Sequence, residues 1–473
     1  MDAPITVPLW LFLLLVALAV WWVIDRLIAP GLRWVLRRRV NRAIEEINAR
    51  LQLRIPAFRI ARREALIDRL VHDGKVVEAA EEQVRLSGAS RTAVMRQVRG
   101  YAREIVPAFN AYLYFRLGLG LARRVARLLY RVRVGYMDES GLTAVDPRAS
   151  VVFVMNHRSN MDYVLVGFLV AERAAISYAV GEWARVWPLQ QLIRSMGAYF
   201  VRRNSGDPLY RRVMERYVQM ATEAGVAQAV FPEGGLTQDG AMRSPRLGIL
   251  DYLCKGFDPK GERDIVFVPV GINYDRVLED RSLLRRLDPG AARRGIAFAA
   301  WTALRFAGRN VAQMARREWF RFGYACVNFG TPVSLREWTA GRGVDFRDLP
   351  RAVRFERVDA LARDLMSAIG AVVPVLPVSV VATVLLEAGE AGASTIDVKA
   401  RAAALFAGLG AAGAHPYIPR RDQDYAIEVG LRHLSRRRAL LEEEGHYRMA
   451  PGEAPLLAYY ANAIAHLMPQ NRP

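Results

Sequence analysis

Cysteine is nearly absent from this chain: among 473 residues only Cys254 and Cys326 occur, both in apolar surroundings and neither part of a CxxC pair. That scarcity argues against a disulfide framework and a cysteine-ligated structural metal. Histidine is also sparse, with six residues and no His/Cys cluster at metal-ligand spacing. Negative charge is in deficit, 47 Asp and Glu against 67 Lys and Arg, for a formal net charge of +20. A partner carrying negative charge is implied: nucleic acid, anionic lipid headgroups or phosphorylated small substrates. No internal repeat is present.

What is present begins with one long apolar run. ITVPLWLFLLLVALAVWWVI, from Ile5 to Ile24, carries no charge and has the length of a membrane-spanning helix. It lacks the basic n-region and small-residue cleavage site of a signal peptide. Trp21 and Trp22 fall near its end, and Arg26, Arg33, Arg37, Arg38, Arg39 and Arg42 follow, whereas only Asp2 precedes. The expectation is a single-pass anchor in the cell (inner) membrane with the rest of the chain in the cytoplasm. The alternative is a buried core helix.

Composition then divides the chain into residues 1–30 (anchor), 31–133 (basic amphipathic helices), 134–340 (α/β) and 341–473 (helical). In the second part Val94, Val98, Tyr101 and Ile105 form an apolar helix face, suited to an anionic membrane surface or to packing on the domain that follows. In the third, strands are expected at Val151–Met155, Ile176–Val180, Ala198–Val201, Val226–Phe231, Ile265–Val270 and Tyr324–Phe329. A helix should open at Asp207-Pro208 and stop at Gly225. Alternation of this kind predicts an α/β fold, a mixed and partly parallel sheet flanked by helices. Pro269 suits an edge strand or a bulge. The apolar stretch Ile296–Leu304 is too short for a second span.

Four polar clusters follow predicted strands, at the sheet edge where ligands usually bind. NHRSNMD places His157 and Asp162 about one helical turn apart, a base and its orienting carboxylate without a serine nucleophile. Histidine and aspartate at this spacing are far more often unrelated surface or capping residues. GAYFVRR ends in Arg202 and Arg203, a pair able to hold phosphate or simply a solvated basic edge. FPEGG supplies Glu233, Gly234 and Gly235 in a tight turn. VPVGINYD ends in a tyrosine and an aspartate.

In this order, over about 125 residues, the clusters resemble the four blocks of the glycerolipid acyltransferase family, the HxxxxD type. HRSNMDY, GAYFVRR and EGG are most similar to the bacterial glycerol-3-phosphate acyltransferases, and LLAYYANAIAHL resembles their C-terminal region. The resemblance implies an O-acyltransferase that moves a fatty acyl group from acyl-CoA or acyl carrier protein to the sn-1 hydroxyl of glycerol 3-phosphate, without a metal or redox cofactor. It implies His157 as base, Asp162 as its orienting group and Arg203 on the acceptor phosphate. Glu233 and Gly234 would shape the acceptor pocket, with Arg158, Arg202 and Gly235 also among the substrate-binding residues. The third block departs from the group's pattern, since Leu236-Thr-Gln-Asp-Gly follows EGG where arginine is usual. Arg243 and Arg246 are the substitutes. Anionic lipids, not nucleic acid, are the macroscopic partner expected. Acylation of lysophosphatidate at sn-2 uses the same chemistry and is the enzymatic alternative; a membrane-tethered basic scaffold or nucleic-acid binder is the alternative of another class.

Overall fold

A computed structural model of the chain describes residues 56, 58, 61–110, 113–170, 176–180, 189–202, 205–288, 290 and 321–468. The expected membrane span at Ile5–Ile24, the arginines after it, Arg203 and the stretch Ile296–Leu304 lie outside these residues. Among the described residues no helix is long and apolar enough to cross a membrane.

All six expected strands form, with boundaries shifted by a few residues. They are β2 (Ser150–Met155), β3 (Ser177–Val180), β4 (Tyr199–Phe200), β5 (Gln228–Val230), β6 (Ile265–Tyr274) and β7 (Tyr324–Phe329). Two more complete the main sheet: β1 (Arg131–Met137), whose alternating arginines mark it as an exposed edge, and the short β8 (Val333–Ser334). The order is β1-β7-β6-β2-β5-β3-β4, with β8 also on β6. Strands β6, β2, β5, β3 and β4 run parallel, and β7 and β8 lie antiparallel to β6. The fold is α/β with a mixed sheet flanked by helices.

Every residue of β2, β6 and β7 is buried, because helices cover both faces of the sheet. Period-two alternation splits the core. Phe153, Met155, Val270, Ile272 and Tyr274 face the helices Leu119–Leu129, Asp162–Val170, Pro377–Ala388 and Ala454–Ala465. Val152, Val154 and Phe267 face Arg91–Ile105, Pro208–Glu223, Gly248–Lys255 and Arg351–Ala371. The apolar face of Arg91–Ile105 is therefore buried within the protein, with Val94, Val98 and Ile105 inaccessible. Helices beyond residue 340 supply cover on both faces.

Local signals explain the helix ends. Asp207 caps Pro208–Glu223 by accepting from Leu209 N and Tyr210 N, and Gly225 at φ 74° ends it. Pro269 is not at an edge, contrary to expectation, since β6 pairs on both sides. Its missing N–H faces the gap where the neighbour changes from β8, paired at Val266 and Phe267, to β7, paired from Val270 onward. No ladder bond is lost there. The C-terminal region, expected to be helical, also contains a hairpin, Leu440–Glu443 with His446–Met449. Its turn places Glu444 and Gly445 at positive φ, the geometry a two-residue hairpin requires. Charged, four-residue strands leave little trace in a sequence pattern.

Gly271 in β6 lies directly under the end of the helix Arg351–Ala371: a Cβ there would sit 2.2 Å from the Val372 carbonyl oxygen. Backbone cannot yield as a flexible side chain can. Gly271→Ala should therefore lower stability by about 1–3 kcal/mol, read as a lower denaturant midpoint at unchanged slope.

Candidate active site

The parallel strands bring four loops to one edge. The register pairs Met155 with Val270 and Val154 with both Val230 and Pro269, so β2 and β5 end side by side while β6 runs on to Tyr274. Asn156 extends the ladder by one step with its side chain. Its Nδ2 donates to Ile272 O at 2.9 Å and its Oδ1 accepts from Ile272 N at 2.8 Å. The loop that follows is thereby anchored before it turns.

His157 and Asp162 meet in that turn. His157 Nδ1 lies 2.9 Å from Asp162 Oδ2, and both side chains are almost wholly buried. The same oxygen accepts from Arg158 N at 2.8 Å and Ser159 N at 3.0 Å. Oδ1 accepts from the Tyr274 hydroxyl at 2.5 Å. Burial and the adjacent Asp162 carboxylate push the Tyr274 pKa far up, so it remains a donor. Because Asp162 offers only acceptors, Nδ1 carries the proton and Nε2 keeps a lone pair. The imidazole stacks on Phe231, centroids 3.9 Å apart, with the Tyr163 ring edge-on at 5.4 Å.

Glu233 braces this turn from the third loop. Its Oε1 accepts from His157 N at 3.0 Å and its Oε2 from Arg243 N at 3.1 Å. Burial is the largest influence on it and raises its pKa to about 7, against the opposing pull of those two N–H groups and of Arg158 and Arg243. Gly234 adopts φ 69°, and a Cβ there would meet the Arg246 stem at 2.8 Å; Gly235 is buried beside it. Arg246 N donates to Pro232 O at 2.7 Å, folding the 240s loop back on the EGG turn. The side chains of Arg243 and Arg246 are exposed.

Arg158 is buried, at 2% exposure. Its Nη1 donates to Gly240 O at 2.9 Å, and its guanidinium lies 5.4 Å from the centroid of the Tyr459 ring. Arg202 is placed differently from the expectation. Its guanidinium grips Glu104 with two bonds, of 2.9 and 2.6 Å, and packs over Tyr101 and Tyr210. It ties β4 to the helix Arg91–Ile105. Arg203 is outside the described residues.

The site also includes residues that sequence reasoning assigned no role. Tyr274 stood in the fourth cluster, and only tertiary pairing sets its hydroxyl on Asp162. Glu279 accepts from the Ser159 hydroxyl at 2.7 Å and from Asn160 N and Nδ2 at 3.2 and 3.0 Å. No sequence signal marked it.

A family model described as "Acyltransferase" matches residues 137–273, which contain the first three loops and reach into β6, one residue short of Tyr274. A second, "Glycerol-3-phosphate acyltransferase C-terminal region", matches residues 310–470. Together the two matches support a glycerol-3-phosphate-acyltransferase-like acyltransferase family for this chain. Among similar proteins of this group, a glycerol-3-phosphate acyltransferase of Pseudoalteromonas atlantica is 25% identical over 86% of this chain and 50% of its own length. That of Xanthomonas axonopodis pv. citri is 25% identical over 91% of this chain and 48% of its own. That of Ectopseudomonas mendocina is 26% identical over 86% and 49%. The chain spans about half the length of these curated relatives.

Glu233 has a testable signature. A carboxyl whose folded pKa is raised contributes stability that is full below its unfolded value, near 4.5, and is lost as pH rises through about 7. Asp275, buried and raised to about 7, adds a share of the same sign. Glu233→Gln, neutral at every pH, should flatten its share of the stability loss between pH 4.5 and 8 and leave that of Asp275, as measured by denaturant midpoints across the range.

Proposed function

We propose that this chain transfers a fatty acyl group from an acyl thioester to the sn-1 hydroxyl of glycerol 3-phosphate, giving lysophosphatidate for phospholipid synthesis. The observation that carries the reading is the buried His157–Asp162 pair at the carboxyl edge of the sheet. His157 Nε2 takes the proton of the acceptor hydroxyl as its oxygen attacks the thioester carbonyl. The C–S bond then breaks, and the proton passes to the leaving thiolate. Asp162 holds the reactive tautomer and stabilises the imidazolium, and Tyr274 with two backbone N–H groups keeps Asp162 in place.

Direct attack is favoured over an acyl-enzyme. Cys254 lies within the Gly248–Lys255 helix and Cys326 within β7, both buried. Burial raises both thiols far from thiolate character, Cys326 to about 12. The Ser159 hydroxyl is engaged by Glu279. The acceptor's own oxygen is then the nucleophile. On this reading acyl-CoA or acyl carrier protein serves as co-substrate, and no metal or organic cofactor takes part.

His157→Ala should lower turnover by about 10²–10⁴-fold while the fold persists. The assay supplies acyl-CoA with glycerol 3-phosphate or lysophosphatidate in turn and identifies the lipid formed. Near-normal turnover by the variant, or a trapped acyl-enzyme, would remove the mechanism; acylation of lysophosphatidate alone would move the reaction to sn-2.

The run Ile5–Ile24 and the arginines after it support a single-pass anchor with the catalytic residues in the cytoplasm. Single cysteines placed at exposed positions of the α/β region should resist an impermeant thiol reagent in intact cells and react after lysis. Labelling in intact cells would reverse the orientation.

A further inference from the structure

Buried cations are rarely left without partners, since an uncompensated buried charge is costly. Arg158 departs from that rule. Only its Nη1 is engaged; Nε and Nη2 are buried and have no hydrogen-bond partner among the described residues. It forms no ion pair there. The carboxyl nearest in influence, Glu233, spends its oxygens on the backbone of His157 and Arg243. The Tyr459 hydroxyl, on the ring that the guanidinium overlies, is likewise buried without a partner. Burial keeps that phenol protonated and able to donate, and Arg158 is close enough to act on its titration.

The two side chains are brought together by a junction that tolerates little change. The carbonyl of Gly240 accepts from Arg158, while a Cβ on Gly240 would lie 1.8 Å from the Tyr459 carbonyl oxygen. Asn462 Nδ2 donates to Asp239 O at 3.0 Å one turn further along the same helix. The helix Ala454–Ala465 is thus held against the loop that follows the EGG turn. Next to the catalytic turn, three donor atoms, Nε and Nη2 of Arg158 and the Tyr459 hydroxyl, therefore remain, with a fixed positive charge and no matching acceptor among the described residues.

We infer that Arg158 and Tyr459 form the binding site for the phosphate monoester of the acceptor, with the C-terminal helix supplying half of it. Nε and Nη2 of one guanidinium present a fork that matches two phosphate oxygens, and the Tyr459 hydroxyl donates to the phosphate from the facing helix. The dianion supplies the counter-charge that Arg158 lacks. The acceptor's identity rests on the acyl-transfer reading of His157 and Asp162; the anion site itself does not. This placement makes the C-terminal region part of substrate recognition as well as of the core.

Tyr459→Phe removes one hydroxyl and keeps the ring beneath Arg158, so it tests the site with little risk to folding. Arg158→Lys keeps the charge and loses the fork. In the full chain, inorganic phosphate binding followed by ³¹P NMR should weaken about tenfold or more in each variant. The KM for glycerol 3-phosphate should rise by a similar factor, with the acyl-CoA KM nearly unchanged, because contacts made alike in ground and transition states act on KM. Lysophosphatidate as acceptor distinguishes a lipid phosphate from a free one. If both variants bind inorganic phosphate as the unaltered protein does, the proposal is overturned, whatever the activity. A rise confined to the acyl-CoA KM would also overturn it, placing the donor's phosphates there. If phosphate binding falls in both variants but the unaltered protein acylates neither acceptor, the anion site stands and the acyl-transfer reading fails.

Discussion

Everything at the catalytic edge depends on one buried carboxylate. Asp162 is fully inaccessible, and a buried carboxyl without partners is costly. Four donors supply them: the His157 ring, the N–H groups of Arg158 and Ser159, and the Tyr274 hydroxyl. Three of them lie within five residues, so the tight turn after β2 is itself a cage for the charge. The fourth comes from the end of β6 and can arrive only when β2 and β6 pair in register. Orientation of the histidine and correct strand pairing are the same event, which is why a reactive tautomer can be held so far from solvent.

Outward from that point, the chain uses polar pairs to lock loops that hydrophobic packing alone would leave loose. Glu233 binds the His157 turn to the Arg243 loop, and Glu279 holds the Ser159-Asn160 corner. Beyond Glu279, Asp280 accepts from the Tyr460 hydroxyl at 2.5 Å and pairs with Arg437 at 2.7 Å, while Tyr460 itself accepts from Val277 N at 3.1 Å. The C-terminal helix is thereby coupled to the loop after β6 on one side and, through Tyr459, to Arg158 on the other. Among the buried or partly buried arginines, Arg202, Arg354 and Arg437 are consumed in internal pairs, whereas Arg158 has donors to spare among the described residues.

Much of this was legible beforehand, and for definable reasons. Strands β2, β6 and β7 are rich in apolar residues at successive positions because both their faces are covered, and Asp207-Pro208 and Gly225 punctuate their helix by rules that act over three or four residues. The His157–Asp162 pairing is also local, five positions apart, and so is the EGG turn. Pro269 was misread because its tolerance depends on which strand lies alongside, and a sequence does not say where one neighbour ends and the next begins. The partner of Arg202 was not legible because a basic pair at a strand end looks the same whether it faces a ligand or a glutamate ninety-eight residues away.

The sequence by itself therefore determined the strands, the helix ends and the dyad, each written in contacts that span a turn or less. Tertiary structure alone decided which groups surround that dyad. Tyr274 reaches Asp162 across 112 residues and Glu279 reaches Ser159 across 120, while Tyr459 meets Arg158 from the far end of the chain. These partners carry no local signature, since a buried hydroxyl or carboxylate is selected only by the geometry of the charge it satisfies. That geometry exists once β6 has docked on β2 and the C-terminal helix has closed over the loops.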